Sequence, residues 1–155
     1  MHIHSVARAK ASPTELEEMA GCVCSSLRRT TRVVTQLYDR ALRPHRLRAT
    51  QLPILVATTR AGPVPLAALA EALGMDRTTL LRNARPLVRR KLVEVAAEAG
   101  SRRVELRATE TGRALLARLL PAWRAAQARL LEALEGVDWS GTLATMTGAA
   151  RKPRS

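Results

Sequence analysis

The chain has 155 residues, a length that suits one domain or one small domain with extensions. Hydrophobic residues make up 46% of it and only three residues are aromatic (Tyr38, Trp123 and Trp139), so we expect a helical core of Leu, Ala and Val. The formal charge is +13, from 26 Lys and Arg against 13 Asp and Glu. Such a field attracts nucleic acid, anionic lipid or acidic protein, although free use of Arg at the surface would also produce it.

Several classes of protein are disfavoured by this sequence. No run of apolar residues is long enough to span a membrane, and residues 1–10 lack the apolar segment of a secretory signal. We therefore expect a cytoplasmic protein in which Cys22 and Cys24 are reduced thiols. A phosphate-binding Gly-rich loop, a metal-spaced His/Glu pair and a nucleophile with an evident base are all missing, so we expect no catalysis, no cofactor and no metal site.

The first half of the chain is predicted to be helical. We expect residues 1–11 to be disordered. Ser12, Pro13 and Glu15 predict a helix start with a capping box, and apolar residues at helical spacing predict one long helix that Pro44 ends. The apolar positions of this helix are Leu16, Met19, Val23, Leu27, Val34, Leu37, Ala41 and Leu42. Two further helices are predicted from Ala49 or Thr50 to about Arg60 and from Pro65 to Leu73, the latter ended by Gly74.

The second half combines helices with a hairpin. Asp76 predicts the cap of a helix of about fifteen residues that ends near Arg90 or Lys91. Two strands, 92–96 and 104–108, then form a predicted hairpin around the loop 98–102. Thr109 caps a long helix that passes through Pro121 to about Glu135, where we expect a bend at the proline, and a last short helix runs from about Trp139 to Ala149.

The helix that follows Asp76 has two contrasting faces. Its apolar residues, Leu80, Leu81, Ala84, Leu87 and Val88, fall within an arc of about 120° that is predicted to face the core. On the other side Thr78, Arg82, Arg85 and Arg89 lie within roughly 60° of one another, flanked by Thr79 and Asn83. Such a helix fits the major groove of DNA, where Arg pairs with guanine and Asn with adenine. The alternative to DNA binding is a basic face that is merely exposed to solvent. Such a face usually mixes acidic and basic residues, but the segment 77–91 contains no acidic residue.

The short helix, the turn at Gly74 and Met75, and the basic helix together predict a helix-turn-helix, and the hairpin predicts a wing beside it. At the hairpin tip, Arg102 and Arg103 are suited to the minor groove. A tip that is polar only for solubility is the alternative interpretation.

These residues resemble a known family. The segments 75–83 and 86–94 are similar to the recognition helix and first wing strand of MarR-family transcriptional regulators, and the segment 109–116 is similar to the junction into that family's long dimerisation helix. The resemblance covers roughly residues 20–135 and is specific over 71–116. It implies a two-fold dimer with intertwined terminal helices, binding of double-stranded DNA at a short palindrome, usually as a repressor, and release by a small-molecule or oxidant signal.

The resemblance also assigns roles around the wing. An acidic residue at the position of Asp76 often pairs with the wing Arg at the position of Arg103, which orients the wing. The chain departs from the pattern at Ser101, where Asp is usual, and at Lys91, where Gly is usual. The second departure implies a tighter helix end or one more phosphate contact.

Cys22 and Cys24 raise the question of a sensor, because some relatives sense peroxides through a cysteine in this helix. Two thiols two residues apart on one helix point about 200° apart, so they could neither chelate one ion nor form a disulfide without unwinding, although a bridge between chains stays open. The alternative is that both are small apolar residues in a helix interface. His2, His4 and His45 are further potential ligands. Trp123 and Tyr38 either line an effector cavity or are simply core aromatics.

The sequence thus predicts a mostly α fold with a small β-hairpin wing, a winged helix-turn-helix with long terminal dimerisation helices. The predicted segments are a disordered N-terminus (1–11), an N-terminal dimerisation helix (12–45), a DNA-binding lobe (46–108), C-terminal dimerisation helices (109–150) and a basic tail (151–155). The predicted function is a homodimeric, sequence-specific transcriptional regulator. The alternative is a winged-helix module that binds nucleic acid non-specifically or mediates protein contacts.

Overall fold

The structure is a computed structural model, and it describes residues 10–97 and 104–151. The chain divides into two compact units, with the boundary between Gln36 and Leu37. The described elements are α1 (Pro13–Ala20), α2 (Val23–Leu42), α3 (Leu52–Ala61), β1 (Val64–Pro65), α4 (Leu66–Ala72), α5 (Arg77–Arg89), β2 (Val93–Ala97), β3 (Val104–Ala108), α6 (Glu110–Ala133) and α7 (Trp139–Arg151). Among them, none of the helices is long and apolar enough to cross a membrane.

The N-terminal helix start is confirmed by its hydrogen bonds. The Ser12 hydroxyl accepts from the Glu15 N–H at 3.3 Å, and the Ser12 N–H donates to the Glu15 carboxylate at 2.7 Å. This is a complete capping box, with Pro13 at the start of α1. The same hydrogen bonds lower the pKa of Glu15.

The prediction of one uninterrupted helix up to Pro44 is wrong, because the chain leaves the helix at Gly21 and Cys22. The Gly21 N–H is shared between the carbonyls of Glu17 and Glu18, which closes the last turn of α1. Glycine is a weak helix former, and a helix can end there at little cost. The carbonyl of Cys22 accepts from the Ser26 N–H at 3.1 Å, so Cys22 occupies the N-cap position of α2.

The larger unit is organised around α3, α5 and a small sheet. The sheet is antiparallel with strand order β1-β3-β2, and β2 pairs with β3 in the register Val93↔Ala108 to Ala97↔Val104. The sequence predicts no strand here and places a helix start at Pro65, whereas the structure has strand β1 at Val64 and Pro65. They pair with Leu106 and Glu105 as an edge strand, where the missing N–H of proline is tolerated.

One hydrophobic core joins these elements. The buried apolar residues are Leu42, Leu47, Ile54, Leu55, Leu66, Leu69, Ala70, Leu80, Ala84, Leu87, Leu92, Val93, Leu106, Ala108, Leu115 and Leu119. They come from α2, α3, α4, α5, the strands and α6, except Leu47 and Leu92, which lie in connecting segments. The core therefore anchors the helix-turn-helix to the strands and to the first half of α6.

The junction between sheet and α6 is closely packed. The Thr109 hydroxyl accepts from the Gly112 N–H at 3.1 Å, which confirms the predicted cap, and it donates to the carbonyl of Lys91 at 2.6 Å. A Cβ on Gly112 would lie 2.1 Å from the Leu92 carbonyl oxygen. Only glycine allows this approach between helix and strand. Helix α6 continues through Pro121 without a break.

Candidate nucleic-acid interface

The turn before α5 has the geometry of a helix-turn-helix. Gly74, at φ 61°, ends α4 as predicted. Its N–H donates to the carbonyl of Glu71, and the N–H of Met75 donates to that of Ala70, which together form a Schellman motif. Asp76 then caps α5, because its carboxylate accepts from the Thr79 N–H at 2.8 Å.

The buried side of α5 fixes the orientation of the helix. Leu80 and Leu87 are fully buried and Ala84 is nearly so. Val88 is half-buried and also packs against the core. The prediction for Leu81 is wrong, since this side chain is 41% exposed. It lies at the edge of the apolar arc, where the core no longer reaches it.

The exposed side of α5 carries the predicted basic ridge, which we define as Thr78, Arg82, Arg85 and Arg89. All four residues are exposed. Only two ion pairs occur within residues 10–97 and 104–151, Arg107–Glu94 and Arg113–Glu110, and neither involves α5. The ridge therefore directs three guanidinium groups away from the core.

Thr79 and Asn83 lie beside the ridge but are engaged in local hydrogen bonds. The Thr79 hydroxyl donates to the Asp76 carboxylate at 2.7 Å, and the Asn83 amide donates to the Thr79 carbonyl at 3.0 Å. Both residues are half-buried. A base contact by either would have to replace or share these bonds.

Asp76 serves as the helix cap in the part of the chain that the structure describes. The hydrogen bonds from Thr79 lower the pKa of its carboxyl group. The predicted wing residues Arg102 and Arg103, and also Ser101, lie outside the described residues. The pairing of Asp76 with Arg103 therefore stays a prediction.

The C-terminal end of α5 is held by two neighbouring residues. Lys91 has a φ of 54°, and the Leu92 N–H reaches back to the Leu87 carbonyl at 2.9 Å. The helix thus ends in a second Schellman motif with lysine at the position that favours glycine. Arg90 donates to the backbone carbonyls of His45, at 3.1 Å, and of Arg46. Sequence reasoning missed this anchor, since the partners are far apart along the chain.

The base of the wing is ordered by a pair across its strands. Glu94 and Arg107 are register partners, and the Arg107 guanidinium donates to the Glu94 carboxylate at 2.6 Å. On the same hairpin Val95 and Val104 are about half exposed. The strands thus extend beyond the core toward the wing tip.

The two cysteines occupy the start of α2, and both are exposed in the described chain. Hydrogen bonds from the backbone of Ser25 and Cys24, and from the Ser25 hydroxyl, lower the pKa of the Cys22 thiol. A thiolate at a helix N-terminus is stabilised by these unpaired N–H groups. This activation cannot be recognised from the sequence, because the donors are mainly backbone amides, which every residue except proline carries.

The remaining candidates form no metal site in the part of the chain that is described. No group of three or more His, Cys, Asp or Glu side chains lies close enough there to hold an ion. His2 and His4 lie outside the described residues. His45 contributes its backbone carbonyl to Arg90.

The aromatic residues differ in their surroundings. Trp123 lines an apolar pocket of about 500 Å³ with residues of α3 and α6. Tyr38 does not line this pocket; its hydroxyl donates to the Gln127 side chain, and burial raises its pKa.

Comparisons with known proteins identify the chain. No family model and no curated protein matches it. Among solved structures, the transcriptional regulator MosR from M. tuberculosis is 33% identical, with 84% of this chain and 94% of that chain covered and a TM-score of 0.70. The structure of MosR in complex with DNA gives 36% identity, 84% and 99% coverage and a TM-score of 0.70.

A third structure carries the family description. It is a MarR family transcriptional regulator from Silicibacter pomeroyi, with 26% identity, 84% and 96% coverage and a TM-score of 0.67. All three are described as transcriptional regulators rather than enzymes, and one of the MosR structures is a complex with DNA. The arrangement of α4, α5 and the wing, together with this similarity over nearly the whole chain, means that the protein belongs to the MarR family of winged-helix transcriptional regulators.

Proposed function

We propose that the protein is a homodimeric repressor that binds a palindromic operator through the basic ridge of α5 and the wing, and that a chemical signal releases it. The observation that carries this proposal is the ridge itself. Arg82, Arg85 and Arg89 are exposed on a helix that is anchored in the core by Leu80, Ala84 and Leu87. The guanidinium groups are therefore held on a rigid element. Side chains of this type read guanine in the major groove.

The comparison with MosR supports the same conclusion. A chain 36% identical to this one over nearly its full length was solved in complex with DNA. We infer that this protein binds double-stranded DNA with the corresponding elements, α5 in the major groove and Arg102 and Arg103 in the adjacent minor groove.

A competition shift assay tests sequence specificity. Palindromes upstream of the gene are labelled and competed with scrambled duplexes of the same length and composition. A specific regulator prefers its operator by about 10³-fold or more. A preference below about tenfold for every candidate would contradict the proposal and favour a module that binds nucleic acid through its charge or mediates protein contacts.

The terminal helices support the proposed dimer. Helices α1 and α7 bury none of their residues within the described chain. On α7 the large apolar residues Trp139, Leu143 and Met146 are spaced four and three apart, and each is at least 39% exposed. A stripe of this kind requires a partner surface. Sedimentation should give a dimer at micromolar concentration, and a stable monomer would contradict this part of the proposal.

The properties of the Cys22 thiol favour an oxidant as the signal that releases the protein from DNA. The thiol is exposed and its pKa is lowered, which are the properties of a reactive cysteine. Cys22 thiolate attacks a peroxide oxygen, which yields a sulfenic acid and releases the other oxygen as water or an alcohol. A cysteine of the other chain then displaces water and forms a disulfide between the two chains. The peroxide is reduced by two electrons, and the two thiols are oxidised.

The variants Cys22→Ser and Cys24→Ser test the sensor. Peroxide should release the wild-type protein from the operator, and dithiothreitol should restore binding. Cys22→Ser should bind the operator normally and resist peroxide. If Cys22→Ser is released like the wild type, Cys22 is not the sensor and this part of the proposal is wrong.

A small molecule is a second candidate signal, supported by the pocket beside Trp123. Leu52 and Val56 of α3 face Leu116 and Leu120 of α6 across it. Its volume of about 500 Å³ suits a drug-sized apolar ligand. Ligands that quench Trp123 fluorescence and weaken operator binding together would support this candidate.

A further inference from the structure

The segment between α2 and α3, residues 43–51, which we call the connector, is held firmly on the side of α2. The Asp39 carboxylate accepts from the Ala49 N–H at 2.7 Å. Gln51 is buried, and its side-chain oxygen accepts from the Arg48 N–H at 3.0 Å. Each of these bonds satisfies a backbone amide that has left the helix. The connector is therefore a fixed continuation of α2 rather than a loose loop.

The end of α5 holds the connector from the other side. A short 3-10 helix, Arg43–His45, follows α2, and carbonyl groups at such an end lack the N–H of a following turn. The Arg90 guanidinium donates through Nη2 to the carbonyl of His45, at 3.1 Å, and through Nη1 to the carbonyl of Arg46. These partners lie 45 and 44 residues away along the chain. Arg90 thus caps the continuation of α2 with a side chain from the recognition helix.

Backbone strain occurs on both sides of this contact. Within residues 10–97 and 104–151, the non-glycine residues with a positive φ are Arg46, at 52°, and Lys91, at 54°. Arg46 supplies one of the two carbonyls, and Lys91 directly follows Arg90. A left-handed backbone costs free energy for a residue with a side chain, and it persists only where surrounding contacts hold it. The position of the strain indicates that tertiary structure fixes both ends of the contact.

The contact uses the particular geometry of arginine. A guanidinium group is planar and carries N–H groups on separate nitrogens, so it can address two consecutive carbonyls at once. The three donors of a lysine share one nitrogen at the end of a flexible chain and cannot hold both carbonyls in the same way. Arg90 also belongs to neither of the two ion pairs in the described chain. Its role there is directional hydrogen bonding rather than charge pairing.

We propose that Arg90 is a positioning residue that fixes the direction of α5 relative to the C-terminal end of α2, and thereby sets the half-site spacing that the protein accepts. Helix α2 is one of the predicted dimerisation helices, and its last turn leads into the connector that Arg90 holds. A change of angle at this contact would shift both recognition helices of a dimer about the dyad. The effect on spacing rests on the proposed function, whereas the fixing of α5 is a property of the free protein.

Amide hydrogen exchange in the DNA-free, full-length protein tests the fixing of α5. The Arg46 and Leu92 amides close the two helix ends, donating to the carbonyls of Arg43 and Leu87 at 2.9 Å each. Both should exchange about threefold to tenfold faster in Arg90→Lys and in Arg90→Gln. Arg48→Gln removes a charge from the same connector and should change neither.

An amide in the core controls for general loss of stability. The Leu55 N–H, which donates to the carbonyl of Gln51, should exchange as in the wild type in Arg90→Lys, which keeps the charge. Unchanged exchange at Arg46 and Leu92 in Arg90→Lys, or equal acceleration at all three amides, would overturn the proposal.

Operators of altered length test the effect on spacing. One base pair inserted at the dyad separates the half-sites by about 3.4 Å and turns them by about 35°. The wild type and Arg48→Gln should bind the lengthened operator at least about 30-fold more weakly than the original. In Arg90→Lys this ratio should fall to about threefold, because α5 can adjust its direction. If Arg90→Lys weakens binding to both operators by the same factor, the contact only stabilises the fold and the proposal is overturned.

The two experiments separate this inference from the proposed function. If the wild type prefers no operator, the proposed function fails together with the effect on spacing, while faster exchange at Arg46 and Leu92 would still support the fixing of α5. If the wild type binds an operator specifically and Arg90→Lys keeps the wild-type ratio between the two lengths, the inference fails alone.

Discussion

Lys91 occupies a backbone conformation that costs free energy for any residue with a side chain. Its φ of 54° lies in the left-handed region, where the Cβ crowds the backbone. Lys91→Gly should raise the free energy of unfolding by about 0.5–1 kcal/mol, since relief of this strain exceeds the greater entropy of glycine in the unfolded chain. Urea denaturation at a fixed protein concentration measures the change. Lys91→Ala is the control and should give no gain of this size; a less stable Lys91→Gly variant would contradict the interpretation.

Gly112 and Gly148 provide a matched pair of glycines in helices. A Cβ at Gly112 would overlap the Leu92 carbonyl oxygen, whereas a Cβ at Gly148 would meet no atom within 4 Å. Gly112→Ala should lower the free energy of unfolding by about 1–3 kcal/mol, the usual cost of overpacking. Gly148→Ala should raise it by up to about 1 kcal/mol through helix propensity. Thermal or urea unfolding of both variants checks the pair, and equal effects would show that the junction is not closely packed.

The thiol of Cys22 should titrate below its ordinary range. The hydrogen bonds that stabilise the thiolate exist only in the folded protein, so folding lowers the pKa and more thiolate is present at any given pH. In a Cys24→Ser background, the pH midpoint of alkylation by iodoacetamide should lie lower for the folded protein than in urea. Adding Ser25→Ala should raise the folded midpoint. Identical midpoints with and without urea would contradict the activation.

Residues whose structure depends on near neighbours were predictable from the sequence. The caps at Ser12, Asp76 and Thr109 are confirmed because a capping side chain bonds to an amide two or three residues away. Leu81 was assigned to the core because helical periodicity gives the direction of a side chain, but the width of the core surface beneath it depends on tertiary packing. The anchor at Arg90 was missed because its partners, the carbonyls of His45 and Arg46, are brought close to it only by tertiary packing.

At the scale of elements, α5 carries a prediction about DNA. Arg82→Ala and Arg85→Ala should each cost about 1–3 kcal/mol of operator binding and relax the base preference at one position. Arg102→Ala or Arg103→Ala should weaken binding to all sequences more evenly and reduce its salt dependence. Arg124→Ala, a change on α6, is the control. The measurement is a shift assay on a panel of operator variants, and unchanged affinity for both pairs would show that the assigned surface is wrong.

Hydrophobic periodicity predicted most helices and strands, but it predicted neither strand β1 nor the break between α1 and α2. The order of helices and the wing strands could be predicted, because 3.6-residue and two-residue patterns alternate clearly along the chain. Strand β1 has only two residues, one of them proline, and its pairing with β3 is set by the fold of the lobe. Gly21 weakens a helix, but propensity alone does not decide whether the helix bends or ends there.

The proposed dimer presents two copies of α5 together to one duplex. In such a dimer the two recognition helices enter successive major grooves, about one helical turn apart. The sequence could predict the family and the lobe, because the motif is local. It could not predict the operator or the signal, which depend on a few exposed side chains and on pockets made by tertiary packing.

Hydroxyl-radical footprinting on the best palindrome shows whether two recognition helices bind one duplex together. We expect two protected segments per strand, related by the dyad of the palindrome and centred about 10 base pairs apart. Protection should weaken together in both segments for Arg82→Ala. A single protected segment, or uniform protection without a dyad, would contradict the claim that the protein reads DNA as a symmetric pair of recognition helices.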